Sequence, residues 1–175
     1  MASRLIYRLI RRLKCNQRGV AALEFALTLP IIVTLMIGVM EVTRYVLVVQ
    51  MVANVSRTMA DLSSQGKEMA FAELSSAFAA IKYVAKPFDM QADGKVFVSS
   101  ISVVGGNPPD MNWQECTGDL GSAASAIGMP GNTLTLPTGF TVREGYTVIV
   151  SEAYYDFNPI LINWILPPRR IYRAS

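Results

Sequence analysis

The sequence has no histidine, and it has only two cysteines, Cys15 and Cys116, among its 175 residues. Most zinc sites are built from cysteine and histidine, and the common nucleophile–base pairs of hydrolases use histidine. These absences exclude most zinc enzymes and histidine-dependent hydrolases, which leaves a carboxylate-based site as the open alternative. Because the chain offers no set of nucleophile, base and oxyanion donor, we predict a protein that is not an enzyme and that has no cofactor or metal.

The sequence also has little charge, since 17% of its residues are charged and 51% are hydrophobic. Residues 1–19 hold six basic side chains and no acidic one, whereas residues 20–175 hold ten basic and thirteen acidic ones. The basic residues closest to the rest of the chain are Arg11, Arg12, Lys14 and Arg18. A basic segment beside an apolar one more often sets membrane orientation than binds nucleic acid. We therefore predict a cytoplasmic leader at 1–19 and no nucleic-acid partner.

The apolar segment that follows, residues 20–41, contains Glu24 as its only charged residue before Glu41. As a helix, 21 residues span about 31 Å, which matches a hydrocarbon core of about 30 Å. Pro30 is compatible with a membrane helix. A secretory signal peptide is the weaker alternative, because its apolar core is shorter and a small-residue cleavage site follows it closely. We predict a transmembrane helix with the C-terminal part of the chain outside the cytoplasm.

Residues 42–65 contain no glycine or proline and predict an amphipathic extension of the same helix. Its apolar side chains recur in steps of three and four: Val48, Met51, Val52, Val55, Met59 and Leu62. Such a stripe packs either on the globular domain of its own chain or against neighbouring subunits. The sequence pattern leaves both alternatives open.

Residues 66–175 predict a small α+β domain outside the membrane. An amphipathic helix at 68–85 has Phe71, Leu74, Phe78, Ile81 and Ala85 on one face. Alternating or β-branched segments predict strands at 95–104, at 142–155, most clearly over 146–155, and at 171–174. The Gly- and Pro-rich segment 105–138 predicts a long excursion with a short helix at 123–127 and a short strand at 133–136. Helices followed by antiparallel strands are typical of the α+β class.

The junction of the leader and the apolar segment reads RGVAALEFALTLP. Gly19 precedes the apolar segment, and Glu24 is the fifth residue after Gly19. This arrangement resembles the type IV pilin superfamily, and more narrowly the TadE-like minor pilins, or pseudopilins, of the tight-adherence (Tad, Flp) pilus systems. The C-terminal sequence NPILINWILPPRRIYRAS resembles those proteins more loosely. The resemblance implies a role in pilus assembly or anchoring, with cleavage between Gly19 and Val20 by a prepilin peptidase.

The same resemblance implies the partners and the location of the protein. The partners are the membrane, the peptidase, other pilin and pseudopilin subunits, and the Tad assembly platform proteins. The location is the bacterial inner membrane, with the N-terminus in the cytoplasm and residues 66–175 in the periplasm. Entry into an extracellular pilus and retention in the membrane both stay open.

The residues of this motif have a physical interpretation as well. Gly19 has no side chain, so the backbone can enter a narrow peptidase cleft in an extended form. Glu24 is costly, because insertion scales assign about 2.5–3.5 kcal/mol to an acidic residue at the bilayer centre and less near its edge. The resemblance implies that the compensating partner is the new α-amino group of Val20 on an adjoining subunit, and that Phe25 belongs to the same motif.

Two alternatives to this interpretation stay open. In a plain membrane anchor, Glu24 reaches the headgroups or binds Arg18, and no cleavage takes place. The protein is then an uncleaved single-pass scaffold that presents a periplasmic binding domain, as in TadG-like proteins.

Three further features have a functional and a structural interpretation. The apolar segment 159–168 either docks on the membrane interface or another pilus component, or covers the core, which we favour. Cys116 has no partner on its side of the membrane, so we expect it to be buried as a small apolar residue rather than paired between chains. We expect Tyr146, Tyr154 and Tyr155 to pack within a strand.

Overall fold

The computed structural model describes residues 18–65, 71–136, 139–161, 163 and 166–175. The predicted leader residues Arg11, Arg12 and Lys14 lie outside the described residues, as does the predicted start of the second helix at 68–70. The chain divides into two compact units, which meet between Val42 and Thr43. The first contains the apolar helical segment and the second contains the sheet.

Helix α1 runs from Arg18 to Ser64 without interruption, through Pro30. The Thr34 hydroxyl donates to the Pro30 carbonyl at 2.8 Å, so this polar side chain is satisfied within the helix. The large apolar side chains from Val20 to Met40 are exposed, except for the half-buried Ile37. By length and composition, α1 is the one helix of the described chain able to cross a membrane, and none of its most apolar window is buried in the fold. A core helix of a soluble protein would be buried, which favours the membrane interpretation.

The second half of α1 packs on the globular unit of its own chain. Its predicted stripe is confirmed, because Val48, Met51, Val52, Val55 and Met59 are at most 5% exposed. Helix α2, Phe71–Val84, adds Leu74, Ala77 and Ile81 to the same core. The short helix α3, Met90–Asp93, leads directly into the first strand. Of the two alternatives for the stripe, packing within the chain is thus the observed one.

The sheet has four strands, β1 Gly94–Ser102, β2 Asp110–Thr117, β3 Thr147–Phe157 and β4 Arg169–Ala174. Their order is β2-β1-β3-β4, and each neighbouring pair is antiparallel. The long N-terminal helix, the second helix and this small antiparallel sheet confirm the predicted α+β class.

The two faces of the sheet are covered by different parts of the chain. On one face, Val96, Val98, Ala153, Phe157 and Ile171 form the core with α1 and α2. The opposite face carries Phe97, Ile101, Val150, Tyr154 and Tyr172, and residues of the 118–136 segment pack on it. Strand alternation produces this division, because successive side chains point to opposite faces.

Several local predictions were wrong. Strand β2 lies inside the segment predicted as an irregular excursion, while residues 123–127 and 133–136 form no regular element. Phe71 and Tyr146 are 75% and 62% exposed, so neither packs as predicted. Cys116 is an exposed free thiol rather than a buried one, because its position in β2 is at the sheet edge. Edge strands lack the second neighbour that would cover them.

Candidate functional site

The predicted cleavage site lies at the first described residues of α1. Arg18, Gly19 and Val20 all have helical backbone. A Cβ atom built on Gly19 would meet nothing within 4 Å, and Val20 is 57% exposed. The bond between Gly19 and Val20 thus lies in helical backbone, beside side-chain positions that are open to solvent.

Glu24 and Phe25 lie one turn further along α1, and both are exposed. Within the described part of the chain, the Glu24 carboxylate has no hydrogen-bond or ion-pair partner, whereas the backbone carbonyls of both residues accept the Thr28 hydroxyl at 3.0 and 3.2 Å. An exposed carboxylate on an apolar helix is costly in a bilayer unless a cation reaches it. This geometry leaves Glu24 available to a group from outside the described residues.

A second cluster of polar groups lies on the outer face of the sheet, where Glu152 is 0% exposed. Its carboxylate accepts hydrogen bonds from the Ser125 hydroxyl, the Ala126 amide at 2.9 Å, and the hydroxyls of Tyr172 at 3.0 Å and Tyr154 at 3.3 Å. Hydrogen bonds to an ionised acceptor are stronger than neutral ones. The four donors compensate the burial of Glu152 and fix residues 125–126 against the sheet.

The start of the same segment is fixed by Arg170. Its guanidinium donates to both Asp156 carboxylate oxygens, at 2.7 and 2.9 Å, and to the backbone and side-chain oxygens of Ser122 at 3.1 and 2.7 Å. The bidentate hydrogen bond to Asp156 raises the pKa of the Arg170 guanidinium above its ordinary value. Upstream, Gly118 has φ +103°, and a Cβ there would collide with the Gly94 carbonyl oxygen. The 118–128 segment is therefore anchored at both ends.

The buried and half-buried tyrosines of the sheet predict a loss of stability in alkaline solution. Burial and the Glu152 charge raise the pKa of Tyr154 to about 12, while burial and Asp93 raise that of Tyr155 to about 12. Burial and Glu152 also raise the pKa of Tyr172. Because the fold favours the neutral phenols, their contribution is complete below pH 10 and is lost as the pH rises towards about 12. For Tyr154 and Tyr155, each contribution is on the order of 2 kcal/mol.

This prediction can be checked by urea unfolding of the full chain across that pH range. The free energy of unfolding should fall steadily above pH 10. The variants Tyr154→Phe and Tyr155→Phe should have a shallower decline than the wild type. An unfolding free energy that does not change over this range would contradict the prediction.

Asp89 is the N-cap of α3, where its side chain accepts from the amides of Gln91 at 3.0 Å and Ala92 at 3.1 Å. Among the residues that the structure describes, no three potential metal ligands come together.

A comparison with known families supports the resemblance to TadE-like proteins in the N-terminal part of the chain. The sequence model of the TadE-like protein family matches residues 19–61, about a quarter of the chain. The matched segment begins at the Gly19–Val20 site and contains Glu24, Phe25 and most of α1. Neither a curated protein nor a solved structure matches the chain. The resemblance inferred from RGVAALEFALTLP is confirmed, and the chain is TadE-like over this segment.

Proposed function

We propose that this TadE-like chain is a minor pilin, or pseudopilin, of a Tad-type pilus that acts in pilus assembly or anchoring. A prepilin peptidase removes residues 1–19, and α1 then holds the mature chain in the bacterial inner membrane. The globular unit 43–175 lies in the periplasm in this arrangement. The observation that carries the proposal is Glu24, an exposed carboxylate in the apolar half of a helix whose sequence matches the TadE-like family.

Glu24 supports an assembly role because simple anchoring gives no reason to keep it. A carboxylate within a membrane helix lowers the stability of insertion, and such residues are usually paired or functional. Cleavage after Gly19 creates an α-amino group at Val20. On an adjoining subunit, this cation is a suitable partner for Glu24, since both groups are then neutralised inside the apolar environment.

Removal of the leader also has an electrostatic consequence. Residues 1–19 carry six basic side chains and no acidic one. These charges hold the N-terminus on the anionic cytoplasmic leaflet and oppose its movement into the bilayer. Cleavage therefore releases the subunit for extraction into a growing assembly.

The test of processing is the N-terminal sequence of the protein in cells with and without the cognate prepilin peptidase. We expect a mature species that begins at Val20 only when the peptidase is present. The variant Gly19→Ile should block cleavage, because a β-branched side chain disfavours the close approach that glycine permits. Val39→Ile, in the same helix but far from the site, is the matched control and should be processed normally. Functional protein that still begins at Met1 or Ala2 would disprove the processing step.

An uncleaved scaffold that presents a periplasmic binding domain is the second candidate. It is favoured by one observation, the burial of the second half of α1 within its own chain. Val48, Val52 and Val55 are at most 1% exposed, so this stripe is not available to neighbouring subunits. Unchanged mass in the presence of the peptidase would select this candidate.

A further inference from the structure

The second half of α1, within the globular unit, crosses one face of the sheet in a defined direction. Near the start of the unit, the Tyr45 ring makes an edge contact with Phe157, with ring centroids 5.5 Å apart. Further along, the Ser56 hydroxyl donates to the Ser151 carbonyl at 2.8 Å. The helix thus runs from the C-terminal end of β3 towards its N-terminal end. Phe157 and its partner Arg169 in β4 therefore lie beside Tyr45, where the part of α1 that belongs to this unit begins.

Arg169 differs from its neighbour Arg170 in its partners. Its guanidinium carbon lies 5.5 Å from the centroid of the Tyr45 ring, and its side chain is exposed. No carboxylate of the described residues binds it, whereas Arg170 binds Asp156 and Ser122. A cation over a tyrosine ring is held in position but keeps its N–H donors available. Among the described residues, Arg169 is thus a positioned cation without an anionic partner.

The surroundings of Arg169 combine a cavity with exposed apolar side chains. A cavity of about 360 Å³ is lined by Asp156, Phe157, Asn158, Pro168, Arg169 and Arg170. In the connection that follows β3, Ile160 and Leu161 are 62% and 58% exposed. We define the Arg169 surface as Tyr45, Asn158 and Arg169 together with Ile160 and Leu161. The Cα atoms of these last two can lie no more than about 14 Å from that of Phe157 along the chain. Basic, aromatic and aliphatic side chains of this kind are typical of membrane–water interfaces.

We propose that the Arg169 surface binds anionic phospholipid headgroups of the leaflet on the side where the globular unit lies. Tyr45 follows the span 20–41 by four residues, which is about 6 Å along a helix. The headgroup layer on each side of the hydrocarbon core is about 5–7 Å thick. The ring therefore lies at the depth of the headgroups, where Arg169 meets lipid phosphates and the two aliphatic side chains meet the upper acyl chains. This inference rests on the anchoring and orientation in the proposed function.

The test uses the full chain in vesicles of phosphatidylethanolamine, with and without phosphatidylglycerol. The photoreactive residue benzoylphenylalanine replaces Leu161, and lipid adducts are identified by mass spectrometry after irradiation. We expect adducts with lipid, enriched in phosphatidylglycerol relative to the vesicle composition. Arg169→Gln should reduce this enrichment about fivefold, the factor expected for one cation at an anionic surface. Arg169→Lys should retain most of it.

Arg143→Gln is the matched control. Arg143 is exposed and precedes β3, and the Gly145 amide of the same loop donates to Val103 beyond the end of β1 at 3.0 Å. It therefore lies at the other end of the sheet, about 30 Å away along β3. This variant should leave the enrichment unchanged.

The possible outcomes separate this inference from the proposed function. A chain that alkali extracts from the vesicles would overturn the anchoring, and the inference with it. A chain that stays integral but yields no lipid adducts would overturn the inference alone. Two further results would overturn the inference alone. One is equal enrichment of phosphatidylglycerol adducts in Arg169→Gln and the wild type, and the other is adducts with an acidic protein segment in place of lipid.

Discussion

Glu24→Ala is expected to leave the chain in the membrane and to abolish most pilus assembly. Insertion should be unchanged or improved, because the variant removes an acidic group from an apolar helix. Assembly should fail, because the α-amino group of Val20 on the adjoining subunit then enters the apolar environment without its counter-charge. Truncation of one member of a buried charge pair costs about 2–5 kcal/mol, which weakens the association roughly 30-fold or more. Pilus counts by electron microscopy, together with membrane fractionation, measure both effects.

The position of the carboxylate is tested by the double variant Glu24→Ala with Leu27→Glu. Leu27 is 65% exposed and lies three residues further on, on the same side of α1. The double variant keeps one carboxylate in the apolar segment but moves it by nearly one turn, about 4.5 Å. We expect it to remain defective in assembly. Normal piliation of Glu24→Ala would contradict the assembly role, and rescue by Leu27→Glu would show that any carboxylate in this region suffices.

The long helix could be predicted from the sequence because its signals are local. A continuous apolar segment at 20–41 and a stripe with helical spacing at 48–62 each define a helix without knowledge of distant residues. The match to the TadE-like family covers the same part of the chain. The helix was predicted to continue through Pro30, because a proline interrupts an apolar membrane helix less readily than a helix of a soluble protein.

Strand β2 could not be predicted in the same way. Its sequence DMNWQECT is polar and lies beside Gly105, Gly106, Pro108 and Pro109, which indicate a loop. It becomes a strand because it pairs with β1 along seven residue positions, with a bulge between Ser100 and Ile101. This stabilisation is non-local, and edge strands need less apolar character than central ones. The short helix predicted at 123–127 and the short strand predicted at 133–136 do not form. The related reason is that tertiary contacts, rather than local sequence, determine the conformation of this segment.

The Glu152 cluster was missed, although the sequence contains a signal for it. Glu152 interrupts the apolar and aromatic sequence TVIVSEAYYDF, the clearest strand of the chain. An acidic residue in a central strand has to find donors or face solvent. What the sequence could not provide was the identity of those donors, since Ser125 and Ala126 are more than 25 residues away and belong to no regular element. By contrast, the processing motif was inferred from the sequence alone, and it stays a prediction.

Glu152→Ala is expected to destabilise the globular unit strongly. The substitution leaves four donors without their acceptor on a face where Glu152 itself is completely buried. Each hydrogen bond to a charged group contributes about 1.5–3 kcal/mol, and the contributions are not additive. We expect the free energy of unfolding to fall by about 3 kcal/mol or more. Urea unfolding of the full chain in detergent, followed by near-ultraviolet circular dichroism of the tyrosines, measures the change.

The controls for this prediction separate loss of the cluster from loss of charge. Glu152→Gln keeps one oxygen as an acceptor but turns an amide group towards other donors, so we expect an intermediate loss of stability. Glu144→Ala removes an exposed carboxylate in the loop before β3 and should change the unfolding free energy by no more than about 0.5 kcal/mol. In Glu152→Ala, limited proteolysis should cut first within 118–128, because the contacts that Ser125 and Ala126 make with the sheet are lost. A variant as stable and as resistant to protease as Glu144→Ala would show that the apolar contacts of Ala123 and Ile127 hold this segment without Glu152.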